Sequence, residues 1–174
     1  VAARRRKYRS AGRSRPRRAE PEAPLEAEVE ITALAAGGDG VARLPDGLAL
    51  FVPLAAPGDR VRIRVTERHR RFARAEISEV LVAGPGRCAP RCPVFGRCGG
   101  CAWQHLEYSV QVQAKQAILR EALVRIGGWV LTDEIPLTPS PAPYGYRTRA
   151  RLLVGREGIG YRRQGSHALC AIDG

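Results

Sequence analysis

No stretch of this 174-residue chain stays apolar for the roughly 18 residues that a membrane-spanning helix needs, which excludes a transmembrane helix. An apolar leader core is lacking too, so no secretory signal is expected. Methionine is absent altogether, no initiator residue opens the sequence, and the reading expects a piece of a longer protein. Acids are missing from positions 1–18, where Arg4, Arg5, Arg6, Lys7, Arg9, Arg13, Arg15, Arg17 and Arg18 stand. Most of the formal net charge of +12 therefore sits on one Arg-, Ser- and Pro-rich stretch that cannot bury enough apolar surface to fold. We expect residues 1–24 to be a disordered basic arm and Pro-rich linker drawn to phosphates, with steeply salt-dependent affinity; the alternative is a solubilising tail. The remainder, in a chain 44% hydrophobic and 26% charged, has the makeup of one or two modest globular domains.

Ordered sequence begins with strict alternation. Leu25, Ala27, Val29, Ile31 and Ala33 fall on one face, and Glu26, Glu28, Glu30 and Thr32 on the other, the pattern of a half-buried strand. Further strand-like runs at Val41–Leu44, Leu48–Val52, Val61–Val65 and Ala73–Val82 are separated by Pro45-Asp46-Gly47 and Pro57-Gly58-Asp59. Five short strands over residues 25–84 predict a small closed barrel of OB type, since closure removes sheet edges. Gly38-x-Gly40 is a hairpin turn in this reading and not a dinucleotide loop: Arg43 stands where the third glycine belongs, and no helical pattern follows. After a cysteine-rich loop over 85–108, Ser109 is a candidate N-cap for a helix with Ala114, Ile118, Ala122 and Ile126 on its apolar face, closed by Gly127-Gly128. A Pro-rich loop follows. Tyr144–Val154 then reads as a strand carrying Arg147, Arg149 and Arg151 on one face, with Tyr161-Arg162-Arg163 in the return arm of a hairpin. The predicted class is mainly β with one helix.

The cysteines are the sharpest local signal. Cys88, Cys92, Cys98 and Cys101 form C-x3-C-x5-C-x2-C, with Gly99-Gly100 before the last. Four thiols so close together, without a secretory signal, argue for metal over disulfides. The glycines let the backbone wrap tightly, and Arg87, Arg91 and Arg97 are expected to favour thiolates. Spacing alone leaves a structural four-thiolate zinc site and an iron–sulfur cluster both open, although the x5 gap suits zinc poorly.

The run Cys92-Pro93-x-x-Gly96-x-Cys98-Gly99-Gly100-Cys101-x-x-Gln104-His105-Leu106-x-Tyr108-x-x-Gln111, followed by Lys115 and Arg125-Ile126-Gly127, closely resembles the signature of bacterial RNA uracil-5 methyltransferases that carry a 4Fe-4S cluster. Gly37–Ala42, Phe51-Val52-Pro53, Pro57–Val61 and Ala73-x-Ala75 are similar to the TRAM domain that opens many members. Tyr144–Arg147 and Gly165-Ser166-His167 resemble the family's central, RNA-contacting domain. The resemblance, covering about residues 25–174, implies a TRAM-like barrel at 25–84, a cluster loop at 85–108, and a helix with an incomplete α+β central domain at 109–174. It implies Cys92, Cys98 and Cys101 as three cluster ligands. The family's fourth ligand falls just beyond Gly174; Cys170 stands where an apolar residue is usual and reads as a packed strand cysteine, and Cys88 as a free thiol, although either is a conceivable substitute.

Members transfer a methyl group from S-adenosylmethionine to C5 of a uridine, after a cysteine thiolate adds to C6 and with a carboxylate removing the C5 proton. Those groups belong to a Rossmann-like domain that this chain is expected to lack, so no catalytic residue is assigned. Recognition remains: Arg62, Arg64, Arg70, Arg71 and Phe72 on the barrel, with Arg147 and Arg149 beyond it, are the candidate RNA-binding residues. Trp103 and Tyr108 are expected to bury against the cysteine loop, and His105 to be a hydrogen-bonded structural residue. The implied partner is RNA, 23S rRNA by the TRAM-like domain, bound by a cytoplasmic monomer with no membrane contact. A free-standing RNA-binding or chaperone module with a structural zinc is the competing reading. A radical enzyme bearing a TRAM domain is disfavoured, because the x3-then-x2 cysteine spacing of that chemistry is absent.

Overall fold

The structure, a computed structural model, describes residues 25–172. The expected basic arm lies outside the described residues. Six strands come first: β1 Glu26–Glu30, β2 Ala33–Leu34, β3 Gly40–Arg43, β4 Ala49–Val52, β5 Arg60–Arg68 and β6 Phe72–Val82. They form one curled sheet in the order β1-β5-β6-β4-β3-β2. The single strand expected over 25–33 is broken in two. Its first half pairs antiparallel with β5, Val29 opposite Val61, and its second half pairs with β3, Ala33 opposite Val41. At the break, Ile31 N–H donates to Asp59 O while Thr32 N–H donates to Val41 O, so the bent strand reaches both ends of the sheet. One bent strand thus closes the OB-like barrel in the way five expected strands would.

Alternation sets the core. Val29, Ile31, Leu50, Val52, Val61, Ile63, Ala73 and Ala75 point inward and are buried, while Glu26, Glu28 and Glu30 face water. Burying each large aliphatic side chain contributes about 1.5–3 kcal/mol. Small alanines at 42, 73 and 75 leave room for the larger residues opposite.

Beyond the barrel the helix α1 runs Tyr108–Glu121, and its last turn widens into a π-helical turn at Ala122–Ile126. Glu107, not Ser109, is at the N-cap, without a side-chain cap bond. Gln111, in the first turn, instead ties the helix to the preceding loop, its amide donating to Trp103 O and Leu106 O. Ala114 and Ile118 pack on the small cluster Leu34, Ala56 and Leu106, joining helix to barrel; Ile126, expected on the same apolar face, is 80% exposed.

A three-stranded sheet completes the described residues: β7 Leu153–Gly155, β8 Gly158–Arg162 and β9 Leu169–Ala171, all antiparallel. The strand expected over 144–154 is confined to its last residues. Tyr144–Leu152 is irregular and exposed, so Arg147, Arg149 and Arg151 do not share a strand face. The Pro-rich segment instead hangs on side chains of α1: Arg120 donates to Leu131 O and Asp133 O, Gln116 to Ile135 O, and Ser140 N–H donates to Tyr108 Oη at 2.7 Å. No helix is long and apolar enough to cross a membrane among the described residues.

Candidate nucleic-acid interface and cysteine loop

The outer barrel face carries a charge ladder. Register places Glu28 opposite Arg62 and Arg62 opposite Glu79, with Glu26, Arg64 and Glu76 in the next rung. Arg62 bonds both Glu28, at 3.1 Å, and Glu79, and Arg64 reaches Glu76 at 3.1 Å. Arg68 pairs with Asp46, and Arg74 with Asp39. Exposed pairs of this kind add little stability, about 0–1 kcal/mol each, but they occupy the guanidiniums. Arg70 and Arg71, in the β5–β6 turn, are exposed and enter no ion pair among the described residues. Phe72 is half-buried, edge-on to Phe51 and stacked on His69.

The cysteine loop is fastened to the barrel by Asp59 and Arg87. The Asp59 carboxylate is fully buried. It accepts from Ala56 N–H at 2.6 Å, from Gly84 N–H at 2.8 Å and from Arg87 Nη2 at 2.6 Å. Burial alone raises its pKa; the bonds from Arg87, Gly84 and Ala56 overcome that and hold it below the usual carboxylate range. Arg87 also donates to Leu54 O at 2.8 Å, fixing a leucine whose φ of 63° lies in the left-handed region.

Within the loop Gln104 acts as a bracket. Its Oε1 accepts from Cys92 N–H at 3.0 Å and its Nε2 donates to Cys101 Sγ at 3.1 Å, while Gly100 N–H points at Cys98 Sγ at 3.4 Å. The Cys101 thiol is pushed up, mainly by burial and further by the Cys92 and Cys98 sulfurs, against the lowering effect of Gln104. Of the three arginines expected to favour thiolates, Arg87 is spent on Asp59 and Arg91 lies over the Tyr144 ring at 4.6 Å. All five cysteines are free, and no group of three His, Cys, Asp or Glu side chains is drawn together to hold a metal ion among the described residues. Cys88 has its sulfur on Gln104 O at 3.5 Å. Cys170, buried in β9, stands opposite Tyr161, whose ring covers Gly100 so closely that a Cβ there would come within 2.8 Å. His105 is buried, its Nε2 3.2 Å from Ala55 O and its Nδ1 without a partner; burial holds its pKa below the ordinary histidine value.

A curled six-stranded, OB-like barrel is the architecture expected of a TRAM domain, and residues 26–78 match the TRAM domain family. Over most of its length the chain is homologous to RNA uracil-C5 methyltransferases. It is 41% identical to an uncharacterized RNA methyltransferase of Gloeobacter violaceus over 88% of this chain and 35% of that one. It is also 41% identical to the 23S rRNA (uracil(1939)-C(5))-methyltransferase RlmD of Alkalilimnicola ehrlichii, over 91% of this chain and 36% of that protein. The crystal structure of Pyrococcus abyssi tRNA (uracil-54, C5)-methyltransferase, in complex with S-adenosyl-L-homocysteine, superposes with a TM-score of 0.56 at 29% identity, covering 84% of this chain and 31% of that one. The chain spans about a third of the length of these relatives.

Sequence reasoning missed the Asp59–Arg87 lock, because Asp59 reads as an ordinary Pro-Gly-Asp turn residue. It also missed the cleft flanked by Trp103, Lys115 and Tyr144–Arg147, because it assigned Tyr144–Arg147 to a strand; Trp103 itself is half-buried, packed on Leu34, Ala56 and Leu106.

Proposed function

We propose that this chain is the RNA-recognition and iron–sulfur portion of an S-adenosylmethionine-dependent RNA (uridine-C5) methyltransferase acting on 23S rRNA in the cytoplasm. The observation that carries this reading is the homology to RNA uracil-C5 methyltransferases joined to a TRAM barrel whose partner-free cations, Arg70 and Arg71, lie together on one turn. With Arg62 and Arg64 held in the ladder, phosphate contacts fall to Arg70, Arg71, Arg147 and Arg149. Such contacts position RNA without reading its sequence. The methyl donor and the groups that activate C5 are assigned to a further domain, so these residues bind RNA and transfer nothing alone. Exposed apolar side chains at Val124, Ile126, Val130, Val154 and Ile159 support a larger fold around the second sheet.

The residues of the cysteine loop fit a 4Fe-4S cluster. Of the Cys92, Cys98 and Cys101 sulfurs, two already accept an N–H, Cys98 from Gly100 and Cys101 from Gln104, the outer-shell support that thiolate ligands receive. These three cysteines would hold the cluster, which would serve as a clamp on the loop. A single zinc suits the loop less well, since the x5 gap between Cys92 and Cys98 is longer than the usual spacing of a zinc-binding cysteine pair.

The test is a tritiated-methyl transfer assay on unmodified 23S rRNA, paired with a binding assay on the same RNA. RNA binding without methyl incorporation is the expected result. Incorporation by these 174 residues, or failure to bind RNA, overturns the reading.

A further inference from the structure

Between the barrel, the cysteine loop, α1 and the irregular segment after Ala142 lies a cleft of about 690 Å³, within the roughly 300–1,000 Å³ of nucleotide-sized ligand sites. Its walls carry four aromatic rings, Trp103, Tyr144, Tyr146 and Tyr161, and two cations, Lys115 and Arg147, with no acid among the lining residues. Aromatics make up only 6% of the chain, so four around one hollow is a strong local enrichment. Tyr146 is 61% exposed and Tyr144 39%, which is unlike rings placed to fill a core. Lys115 Nζ stands 5.8 Å from the Trp103 ring centre, and Arg147 lies 5.7 Å from that of Tyr146. A cation held over a ring has no counter-charge beside it, unlike the ladder arginines, which face carboxylates.

We infer that this cleft binds an unpaired stretch of RNA, its bases stacking on the Trp103, Tyr146 and Tyr161 rings and its phosphates meeting Lys115 and Arg147. The inference rests on the RNA-recognition reading and adds where and in what form the RNA is held. The exposed Tyr146 ring and the half-buried Trp103 and Tyr161 rings, beside cations that face no carboxylate, match the alternation of base and phosphate along a single strand. In a duplex the bases are stacked on each other and offer no free face to these rings. The amides that border the cleft are engaged elsewhere: Gln104 spans Cys92 and Cys101, and Gln111 donates to Trp103 O and Leu106 O. The polar groups left free on the cleft walls are the tyrosine hydroxyls, the indole N–H and the two cations. Gly38 makes the site possible. Its φ of +108° is left-handed, and a Cβ on it would lie 2.3 Å from Trp103 Nε1, so only glycine lets the indole lie against the barrel.

The test is fluorescence anisotropy of a labelled oligouridylate titrated with the full chain and with Tyr146→Ala, Lys115→Ala and Arg125→Ala. Tyr146 and Lys115 are exposed, so these substitutions spare the core. Tyr146→Ala is expected to weaken binding about tenfold by loss of a stacked base. Lys115→Ala is expected to weaken it about threefold and lower the salt slope by about one. Arg125→Ala, whose side chain is 75% exposed on the far end of the helix and paired with Glu121, leaves binding unchanged. If the parent chain binds no oligouridylate, the RNA-recognition reading itself falls. If it binds, and both cleft variants match it, the cleft assignment falls alone. A duplex of equal length, or oligoglutamate, displacing the probe as well as unlabelled oligouridylate also overturns it.

Discussion

Asp59 and Arg87 meet in a closed ion pair, Arg87 Nη2 lying 2.6 Å from a carboxylate with no solvent exposure. This pair joins the turn before β5 to the start of the cysteine loop. A barrel strand and the loop that carries the thiols are thereby held in fixed relation, although their sequences are 28 positions apart.

Breaking the pair from one side leaves a buried charge uncompensated. Arg87→Ala is expected to cost about 3–5 kcal/mol, read as a lower urea midpoint with an unchanged slope. Because the folded pKa of Asp59 is depressed, its contribution is complete above the unfolded carboxylate pKa and is lost as pH falls through the folded one. Asp59→Asn therefore flattens the acid limb of the stability profile. A parent-like acid limb in that variant contradicts the assignment.

His105 sets a second pH window. Burial lowers its folded pKa below 6.5, so the unfolded chain binds the extra proton first. Stability from the neutral ring is complete above the unfolded pKa and declines as pH drops through the folded value. Urea midpoints are expected to hold from pH 8 to about 7 and to fall as the pH drops below about 6.5, and His105→Gln removes that fall. Equal slopes in the two proteins contradict it.

Gly38→Ala sets a Cβ against the Trp103 indole and strains a left-handed backbone. A loss of about 1–3 kcal/mol is expected, with a red shift of Trp103 emission in a Trp129→Phe background. Unchanged emission means the indole does not lie on the turn.

Iron and labile sulfide measured after anaerobic reconstitution test the cysteine loop. Cys92→Ser, Cys98→Ser and Cys101→Ser each lose most of the iron, Cys88→Ser keeps it, and Gln104→Ala retains it less well, as outer-shell losses do. One zinc per chain with no sulfide contradicts the cluster.

Much of the fold is legible in the sequence, because the barrel is built from period-two patterning. The alternation from Leu25 to Ala33 places Val29 and Ile31 in the core and the glutamates outside. What alternation does not encode is the bend at Ile31 and Thr32, which comes from two competing partners, Asp59 O and Val41 O, supplied by distant strands. The ladder is equally non-local: Arg62 reads as a free cation until register sets Glu28 and Glu79 on either side. Tyr144–Val154 fails for a different reason. Its alternating arginines mimic a strand pattern, but no neighbour pairs with residues 144–152 among the described residues, and an unpaired strand has no partner for its backbone groups.

The central claim, that the folded part of the chain recognises RNA, is tested most directly by photocrosslinking the full chain to a 23S rRNA fragment and mapping the modified peptides by mass spectrometry. The account predicts crosslinks at Arg70–Phe72 and at Trp103 and Tyr144–Arg147, with the Glu28–Arg62–Glu79 face unmodified. Crosslinks confined to residues 1–18 would contradict it, since RNA would then be held by the charge of the basic stretch alone.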